Sequence, residues 1–419
     1  MIRFNVRAVA TAGLAVAMLA STAATAAAAD GSADEKAPLD AAISAYQRAY
    51  PRISLDAAQR AAEQQDARKA LYDELLGKDG ATFGGAWFDA PSGVLHIATT
   101  TDDAARNAAA LGKQQGITVE PQLVKRSYDD LLKLAGAVSG PDSELGKAAG
   151  GNVGIEPETN QVVASVPASQ VESLAKSAPD GVQVVADPGI KTEEDAGCTS
   201  RFACDWTIRS GAAIWRTSRG NEVCSAGFTA RDASNTRYTY TAGHCSNGNG
   251  VTWGTGGQAI GPMQASMNWW AIDASIIRVT NSWFKYDRGG ELYRESSPGR
   301  SAAVQGVAPT LSYIWRGDVV CLSGNFTQPN GPNFCGIVGS NMDSGVRGMV
   351  RVDGFDACGG DSGAGWYWLT PSGRRIAYGM HSRSDVGCHG SNGGSHSWFS
   401  ALPMIKAFFT PGLNVELRP

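Results

Sequence analysis

The chain has 419 residues, with 36 Lys plus Arg against 40 Asp plus Glu, a net charge of −4, and 51 Gly, 8 Cys and 11 Trp. At roughly 150 residues per domain this length suggests two or three domains. With 18% charged and 43% hydrophobic residues the composition excludes a mainly disordered chain, and the mild acidic balance gives no reason to expect a nucleic-acid partner.

Arg3 and Arg7 precede an apolar run, Ala8–Ala20, and a tail of small residues through Ala29. That order reads as a secretory signal over residues 1–29, with an Ala-x-Ala cleavage site near Ala24–Ala26 or Ala27–Ala29. The run is shorter than the ~20 apolar residues that span a bilayer, so release rather than anchoring is expected. The product is expected outside the cell, as a monomer with no membrane partner, where disulfides can form.

Residues 30–195 read as an acidic α+β unit. A helix is predicted over Leu39–Leu76, broken near Pro51 and restarted by Ser54 and Asp56. Strands at Ala86–Asp89 and Val94–Thr99 flank an Ala90-Pro91-Ser92-Gly93 turn, and a helix (Asp102–Gln115) and a strand (Ile117–Val124) follow. After a helix at Ser127–Val138 the order recurs: a hairpin (Asn152–Pro157, Gln161–Val166), a helix (Ser169–Ser177) and a strand (Val182–Ala186). Two β-β-α-β lobes are therefore expected. His96, alone in a strand, reads as a packed or surface residue rather than a ligand.

Cysteine marks the boundary. All eight lie at or after Cys198, and ten of the 11 Trp lie there too. Lys plus Arg number 15 and Asp plus Glu 26 over residues 30–197, against 19 and 14 from residue 198 onward. The run Glu193-Glu194-Asp195 reads as an exposed, protease-accessible linker. Residues 196–419 form the second unit, which is β-rich. Strands are predicted at Ala212–Thr217, Thr236–Ala242, Ile276–Val279, Asp318–Leu322, Met349–Val352, Ala364–Leu369 and Arg375–His381, with a late helix at Ala401–Phe409. Short strands between Gly-rich turns indicate an all-β sandwich or barrel.

Three stretches carry chemistry: Thr-Ala-Gly-His-Cys at 241–245, Ala-Ile-Asp-Ala-Ser at 271–275 and Asp-Ala-Cys-Gly-Gly-Asp-Ser-Gly at 356–363. A serine hydroxyl is a poor nucleophile until a base takes its proton. A histidine does so near neutral pH when a carboxylate orients it. His244, Asp273 and Ser362 supply these groups in the order His, Asp, Ser.

These segments resemble the chymotrypsin-fold serine peptidases, especially the secreted bacterial branch of streptogrisins and α-lytic protease. The acidic unit is similar to that branch's propeptide, most visibly in Phe83-Gly-Gly-Ala-Trp-Phe88. The resemblance implies an all-β catalytic domain of two perpendicular six-stranded β-barrels, chymotrypsin-like, preceded by an α+β propeptide domain. It implies His244 as general base and then acid, Asp273 as its orienter, Ser362 as nucleophile, and an oxyanion hole from the N–H groups of Gly360 and Ser362. It pairs Cys224 with Cys245, Cys321 with Cys335, Cys358 with Cys388 and, partly by elimination, Cys198 with Cys204. No metal and no organic cofactor is implied.

The chain departs from the family pattern in places. Ala364 stands where a second Gly usually follows the serine. Leu322 follows Cys321 where relatives often carry an Arg, which leaves Asp361 without an obvious partner. Ser382-Arg383-Ser384 corresponds to the strand that normally pairs with substrate backbone, and Arg383 and Ser384 would narrow or polarise the pocket. Cys358 precedes Ser362 by only four residues, a spacing of the animal enzymes. Asp356 then falls where trypsin-like enzymes keep the carboxylate that binds Lys or Arg, and Lys191 becomes a processing site; the alternative is a surface-turn Asp beside a small or apolar pocket.

Other readings are weaker. His381, His389 and His396 with Asp385 have no compact metal-ligand spacing. Trp269-Trp270 is more often packing than a sugar platform. A lipase-type elbow needs Gly at position 364 and a different residue order. The expected protein is a secreted serine endopeptidase acting on proteins or peptides, made as a zymogen whose propeptide assists folding and inhibits the product. The alternative is an inactive protease-like binding protein.

Overall fold

The computed structural model describes residues 31–140, 142–189, 193–194, 208–217, 223–246, 248–285, 289–293, 301–324, 334–385 and 395–418. The expected signal, Lys191, Cys198, Cys204, Cys388 and His389 lie outside the described residues. Among those described, no helix is long and apolar enough to cross a membrane.

The acidic unit begins with α1 (Gly31–Ala49), α2 (Leu55–Glu63) and α3 (Gln65–Asp79). Ser54 caps α2 by accepting the Ala57 N–H at 3.2 Å. The predicted Leu39–Leu76 helix is thus broken twice; the second break, at Gln64, has no Pro or Gly to announce it. Next come β1 (Phe83–Asp89), β2 (Val94–Thr99), α4 (Asp102–Gln115) and β3 (Thr118–Leu123). Thr101 caps α4, and Gly116 stops it with φ of 70°. α5 (Tyr128–Ser139) and α6 (Glu144–Ala149) lead to β4 (Val153–Glu156), β5 (Gln161–Val166), α7 (Val171–Ser177) and β6 (Val182–Ala186). In each lobe the first two strands pair antiparallel and the third joins parallel across a helix, as β1-β2-β3 and β4-β5-β6. The two-lobe reading holds.

A short strand, β7 (Glu193–Glu194), precedes the β-rich unit. That unit opens with β8 (Ala213–Arg216), β9 (Val223–Ser225), β10 (Thr229–Arg231), β11 (Arg237–Thr241), β12 (Thr252–Thr255), β13 (Gln258–Trp269), β14 (Ile272–Arg278) and a helical turn, α8 (Ser282–Lys285). It continues with β15 (Glu291–Tyr293), β16 (Ser301–Ala303), β17 (Gly306–Val307), β18 (Val319–Ser323), β19 (Cys335–Asp343), β20 (Met349–Asp353), β21 (Gly365–Leu369), β22 (Arg375–Ser384), β23 (His396–Ala401), α9 (Leu402–Phe408) and β24 (Asn414–Val415). The order β22-β21-β18-β19-β20-β23, with β23 returning to β22, closes a six-stranded barrel. The other sheet, β24-β10-β11-β14-β13-β12-β8-β9, is a half-barrel that does not return on itself. The expected pair of barrels is therefore one closed and one open in its pairing. The strands missed by the sequence reading, such as Gln258–Trp269 and Cys335–Asp343, are rich in Gly, Ser, Asn and Met, so their pairing comes from neighbours rather than propensity.

The acidic unit packs on the closed barrel through backbone and buried polar groups. The Phe88 N–H donates to Arg316 O at 2.9 Å and the Tyr46 hydroxyl to Gly317 O at 2.8 Å. Arg48 Nε donates to Gly354 O at 3.1 Å, and Tyr72 and Ser312 share a hydroxyl bond of 2.7 Å. From the second lobe, Val153 O accepts the Trp270 indole N–H at 3.1 Å, and Tyr128 accepts from Asn341 Nδ2 at 2.8 Å. Gly154 is required by this contact: a Cβ there would lie 2.0 Å from Met342 O and 2.6 Å from Ser344 N. The ion pairs of this contact run in both directions. The buried one joins a lysine of the acidic unit, Lys69, to an aspartate of the barrel, Asp318, at 2.7 Å, and Arg316 of the barrel also meets Glu158 of the acidic unit.

Glu156, at the end of β4, is pushed up to about 7 by burial and by the neighbouring carboxylates Glu158 and Asp343, against the pull of Arg351. A carboxyl raised above its unfolded value near ~4.3 binds its proton more tightly when folded, so the folded chain loses stability as pH rises through that interval. Glu156→Gln is therefore expected to flatten the fall in urea midpoint between about pH 4.5 and pH 7; an unchanged slope would refute the assignment. Gly154→Ala should cost about 1–3 kcal/mol of precursor stability by forcing the contact apart. Gly77→Ala in α3 meets nothing within 4 Å and should gain about 0.5–1 kcal/mol. Denaturant titration of full-length chains distinguishes the two.

Candidate active site

His244 follows β11, Asp273 lies in β14, and Ser362 sits in the loop ahead of β21. The first two come from the half-barrel and the third from the closed barrel, so the site exists only at their junction. His244 Nδ1 is 2.7 Å from Asp273 Oδ2, and its Nε2 is 2.8 Å from Ser362 Oγ. The His244 backbone N–H donates to Asp273 Oδ1 at 2.7 Å, so one carboxylate holds both the ring and the main chain of the histidine. With Nδ1 protonated toward Asp273, Nε2 is left as the acceptor for the serine proton.

Asp273 and Ser362 are fully buried. Burial by itself would raise the Asp273 pKa. The adjacent His244, hydrogen bonds from His244 and Ser382, and the charge of Arg383 outweigh it and hold the carboxyl well below the usual range. Ser382 Oγ donates to Asp273 Oδ2 at 2.5 Å, and Arg383 Nη2 stands 3.9 Å from the same oxygen. Arg383 Nε also donates to Ser382 Oγ at 3.2 Å. The Asp273 N–H donates to Ser400 Oγ at 2.7 Å.

The serine loop is fastened from both sides. Ser225 N–H donates to Ser362 O at 2.7 Å and its hydroxyl to Gly360 O at 2.8 Å, while the Gly363 N–H donates to His381 O at 2.9 Å. Gly360 has φ of 97°, a conformation that costs a residue with a Cβ. At Gly363, with φ of 88°, a Cβ would meet Thr241 Oγ1 at 2.3 Å and Ala242 N at 2.6 Å. Asp361, which lacked an obvious partner in the sequence, accepts the Cys358 N–H at 3.1 Å, so its carboxylate ties the loop to its own backbone.

The remaining expected site residues fall on the wall beside this centre. Ser384 Oγ donates to Ala357 O at 3.2 Å, and Asp356 is half-buried at the start of the loop. Ser382, expected on the substrate side, has its hydroxyl on Asp273, which leaves its backbone in β22 beside the cleft. Ser225 and Ser400 escaped the sequence reading: each is one serine among many, and no local pattern marks either. Against β22 lies β7, antiparallel, with Glu194 opposite Arg383 and Glu193 opposite Ser384. Glu193 and Glu194 of the run expected to be exposed thus have their backbone paired with β22.

Cys224–Cys245 and Cys321–Cys335 are bonded as expected, and Cys358 is disulfide-bonded. Among the described residues no group of three or more His, Cys, Asp or Glu side chains is placed to hold a metal. His396 Nδ1 is 2.7 Å from Asp385 Oδ2, whereas His381 Nδ1 accepts the Trp366 indole N–H at 3.3 Å, so these two histidines serve separate contacts. Trp270 is buried against Phe408 at the seam with the acidic unit.

Residues 56–114 match the α-lytic protease pro N-terminal family. Serine protease 1 of Streptomyces fradiae is 29% identical over 362 residues, covering 83% of this chain and 86% of that protein. Among solved structures, a Nocardiopsis protease is 22% identical and covers 50% of this chain and 99% of its own, with a TM-score of 0.36. A Mycobacterium tuberculosis protease in its active form is 14% identical over 56% of this chain and 96% of its own, with a TM-score of 0.25. The pro N-terminal match and the curated relative, read with the chymotrypsin-like sheets, support a protease of the streptogrisin and α-lytic type, with the propeptide-like segment ahead of the β-rich unit.

Proposed function

We propose that the protein is a secreted serine endopeptidase in which His244, Asp273 and Ser362 form the catalytic triad. The supporting observation is the unbroken line from Asp273 through His244 to Ser362, with bonds of 2.7 and 2.8 Å. Ser362 Oγ attacks the peptide carbonyl carbon as its proton passes to His244 Nε2. The carbonyl oxygen becomes an oxyanion, which the N–H groups of Gly360 and Ser362 stabilise. His244 then protonates the leaving amine, the C–N bond breaks, and the acyl group stays on Ser362. Water, deprotonated by His244, hydrolyses that ester and returns the enzyme. Asp273 remains ionised throughout and stabilises the imidazolium.

The precursor is held inactive by its own strand. Residues upstream of the junction pair with Arg383 and Ser384, the edge along which a substrate backbone would add as a further strand. Asp356, Ser382, Arg383 and Ser384 are assigned to the substrate side of the cleft. Residues 30–195 act as folding helper and inhibitor, and residues 196–419 as the enzyme released after export. Barrels assembled from distant strands fold slowly, and extracellular persistence rests on slow unfolding; a removable partner lowers the first barrier without staying to lower the second.

Ser362→Ala should lower kcat by a factor on the order of 10^6 and leave the precursor uncleaved. A serine-reactive phosphonate should label the wild-type serine; a processed, unlabelled protein would mean that the triad is not catalytic. Because Asp273 is held ionised below the usual carboxylate range, log kcat/KM should fall toward acid with a slope of one between about pH 7 and pH 4.5. A slope of two would show a second, carboxylate ionisation and refute this reading of Asp273. A synthetic peptide of residues 185–195 should inhibit the processed enzyme competitively, raising KM with kcat unchanged. On a peptide library, a preference for Lys or Arg lost in Asp356→Ser would place Asp356 in the specificity pocket; an apolar preference unchanged by it would remove it.

A further inference from the structure

Lys69 projects from α3 of the propeptide into the closed barrel and is buried there. Its ammonium donates to Asp318 Oδ2 at 2.7 Å and to the carbonyl oxygen of Tyr313. Around the nitrogen stand aromatic rings of the barrel, with centroids at 4.0 Å for Trp315, 4.4 Å for Tyr313, 5.8 Å for Trp368 and 6.0 Å for Tyr378. These lie within the distance at which a ring face attracts a cation, and the effect is larger where water is excluded. Asp318 is itself tied down, accepting the Trp315 N–H at 3.1 Å and the Tyr378 hydroxyl at 3.3 Å. A buried carboxylate deprived of its cation is strongly unfavourable. Of the groups around the ammonium, Tyr72 comes from α3 beside Lys69, with its ring centroid at 5.7 Å; Asp318, Tyr313, Trp315, Trp368 and Tyr378 belong to the β-rich unit, and none of them belongs to the triad or to the Ser382–Ser384 segment.

We propose that the closed barrel carries a primary-alkylammonium site, formed by Asp318 with Tyr313, Trp315, Trp368 and Tyr378, which Lys69 fills in the precursor and which becomes open to lysine side chains of other proteins when the propeptide leaves. The opening rests on the propeptide's removal; the site itself does not. Its chemistry is selective. A primary ammonium can donate to both oxygens while facing the rings. A quaternary ammonium cannot donate, and the planar guanidinium of arginine does not match a point-charge socket. A lysine-rich surface of a substrate protein would then be held away from the cleft, which favours substrates that bear such a surface.

The test uses the full chain with Ser362→Ala, so that the propeptide stays attached. Lys69→Ala leaves a void that n-propylammonium matches, its three carbons and nitrogen replacing those beyond Cβ. At tenfold excess over its Kd, n-propylammonium should raise the unfolding midpoint of the Lys69→Ala chain by about 2 °C or more and leave the Lys69 chain unmoved. Propan-1-ol and tetramethylammonium should do neither. An equal rise with propan-1-ol, or none with n-propylammonium, would overturn the site. Should Lys69→Ala fail to fold alone, recovery of folding yield by n-propylammonium but not by propan-1-ol supports the site, and no recovery overturns it. In the processed enzyme, tryptophan fluorescence should change saturably with n-butylammonium and should lose that response in Asp318→Asn. Absence of a saturable response in the wild type would overturn the opening of the site, whereas failure of the chain to process would count against the proposed function alone.

Discussion

A carboxylate shut away from water governs this protein. Asp273 is fully buried and collects a main-chain N–H and a ring nitrogen from His244 and a hydroxyl from Ser382, while its own N–H rests on Ser400. An unsatisfied charge in that position would cost several kcal/mol, so the carboxylate is tolerable only when β11, β14, β22 and β23 have all arrived. The half-barrel supplies Asp273 and His244; the closed barrel supplies Ser362, Ser382 and Ser400. The requirement that orders the active site is therefore the one that docks the two sheets.

That requirement also explains why a partner unit is useful during folding. The contacts of Asp273 with Ser382 and Ser400 join residues 109 and 127 positions apart, and such closures are slow to find. Under the proposed function the acidic unit would scaffold the closed barrel, with β1 bonding to the Arg316 segment, α1 to Gly317 and Gly354, and β4 to the seam beside Trp270. Its attachment combines buried polar bonds with apolar and aromatic packing, as where Tyr72 meets Tyr313 and Trp315. The Lys69–Asp318 pair runs opposite to the net charges of the two units, and the Arg316–Glu158 pair runs with them.

Much of the fold was readable because local signals agreed with the tertiary outcome. Ser54, Thr101 and Ser127 start helices where their side chains can cap them, and the alternation around Ala90–Gly93 makes a hairpin with little ambiguity. The break at Gln64 and the strands Gln258–Trp269 and Cys335–Asp343 were not readable, since composition there gives no preference and pairing partners decide. Of the site, the three triad positions stood out through their flanking residues. Ser225 and Ser400 did not, because a serine that braces a loop has the same local appearance as one on the surface.

The sequence by itself determined the onset of cysteine at Cys198, the order His, Asp, Ser, and the two-lobed acidic unit. These are properties of residue type and spacing, and they survive without knowledge of what packs on what. Only the tertiary structure decided that one sheet closes and the other stays open, that Ser382 bonds Asp273, that Glu193 and Glu194 lie along Ser384 and Arg383, and that Lys69 enters an aromatic cage. Each of those depends on residues distant in the chain meeting in a water-poor place, where hydrogen bonds and charges gain their strength from surroundings that no local stretch of sequence contains.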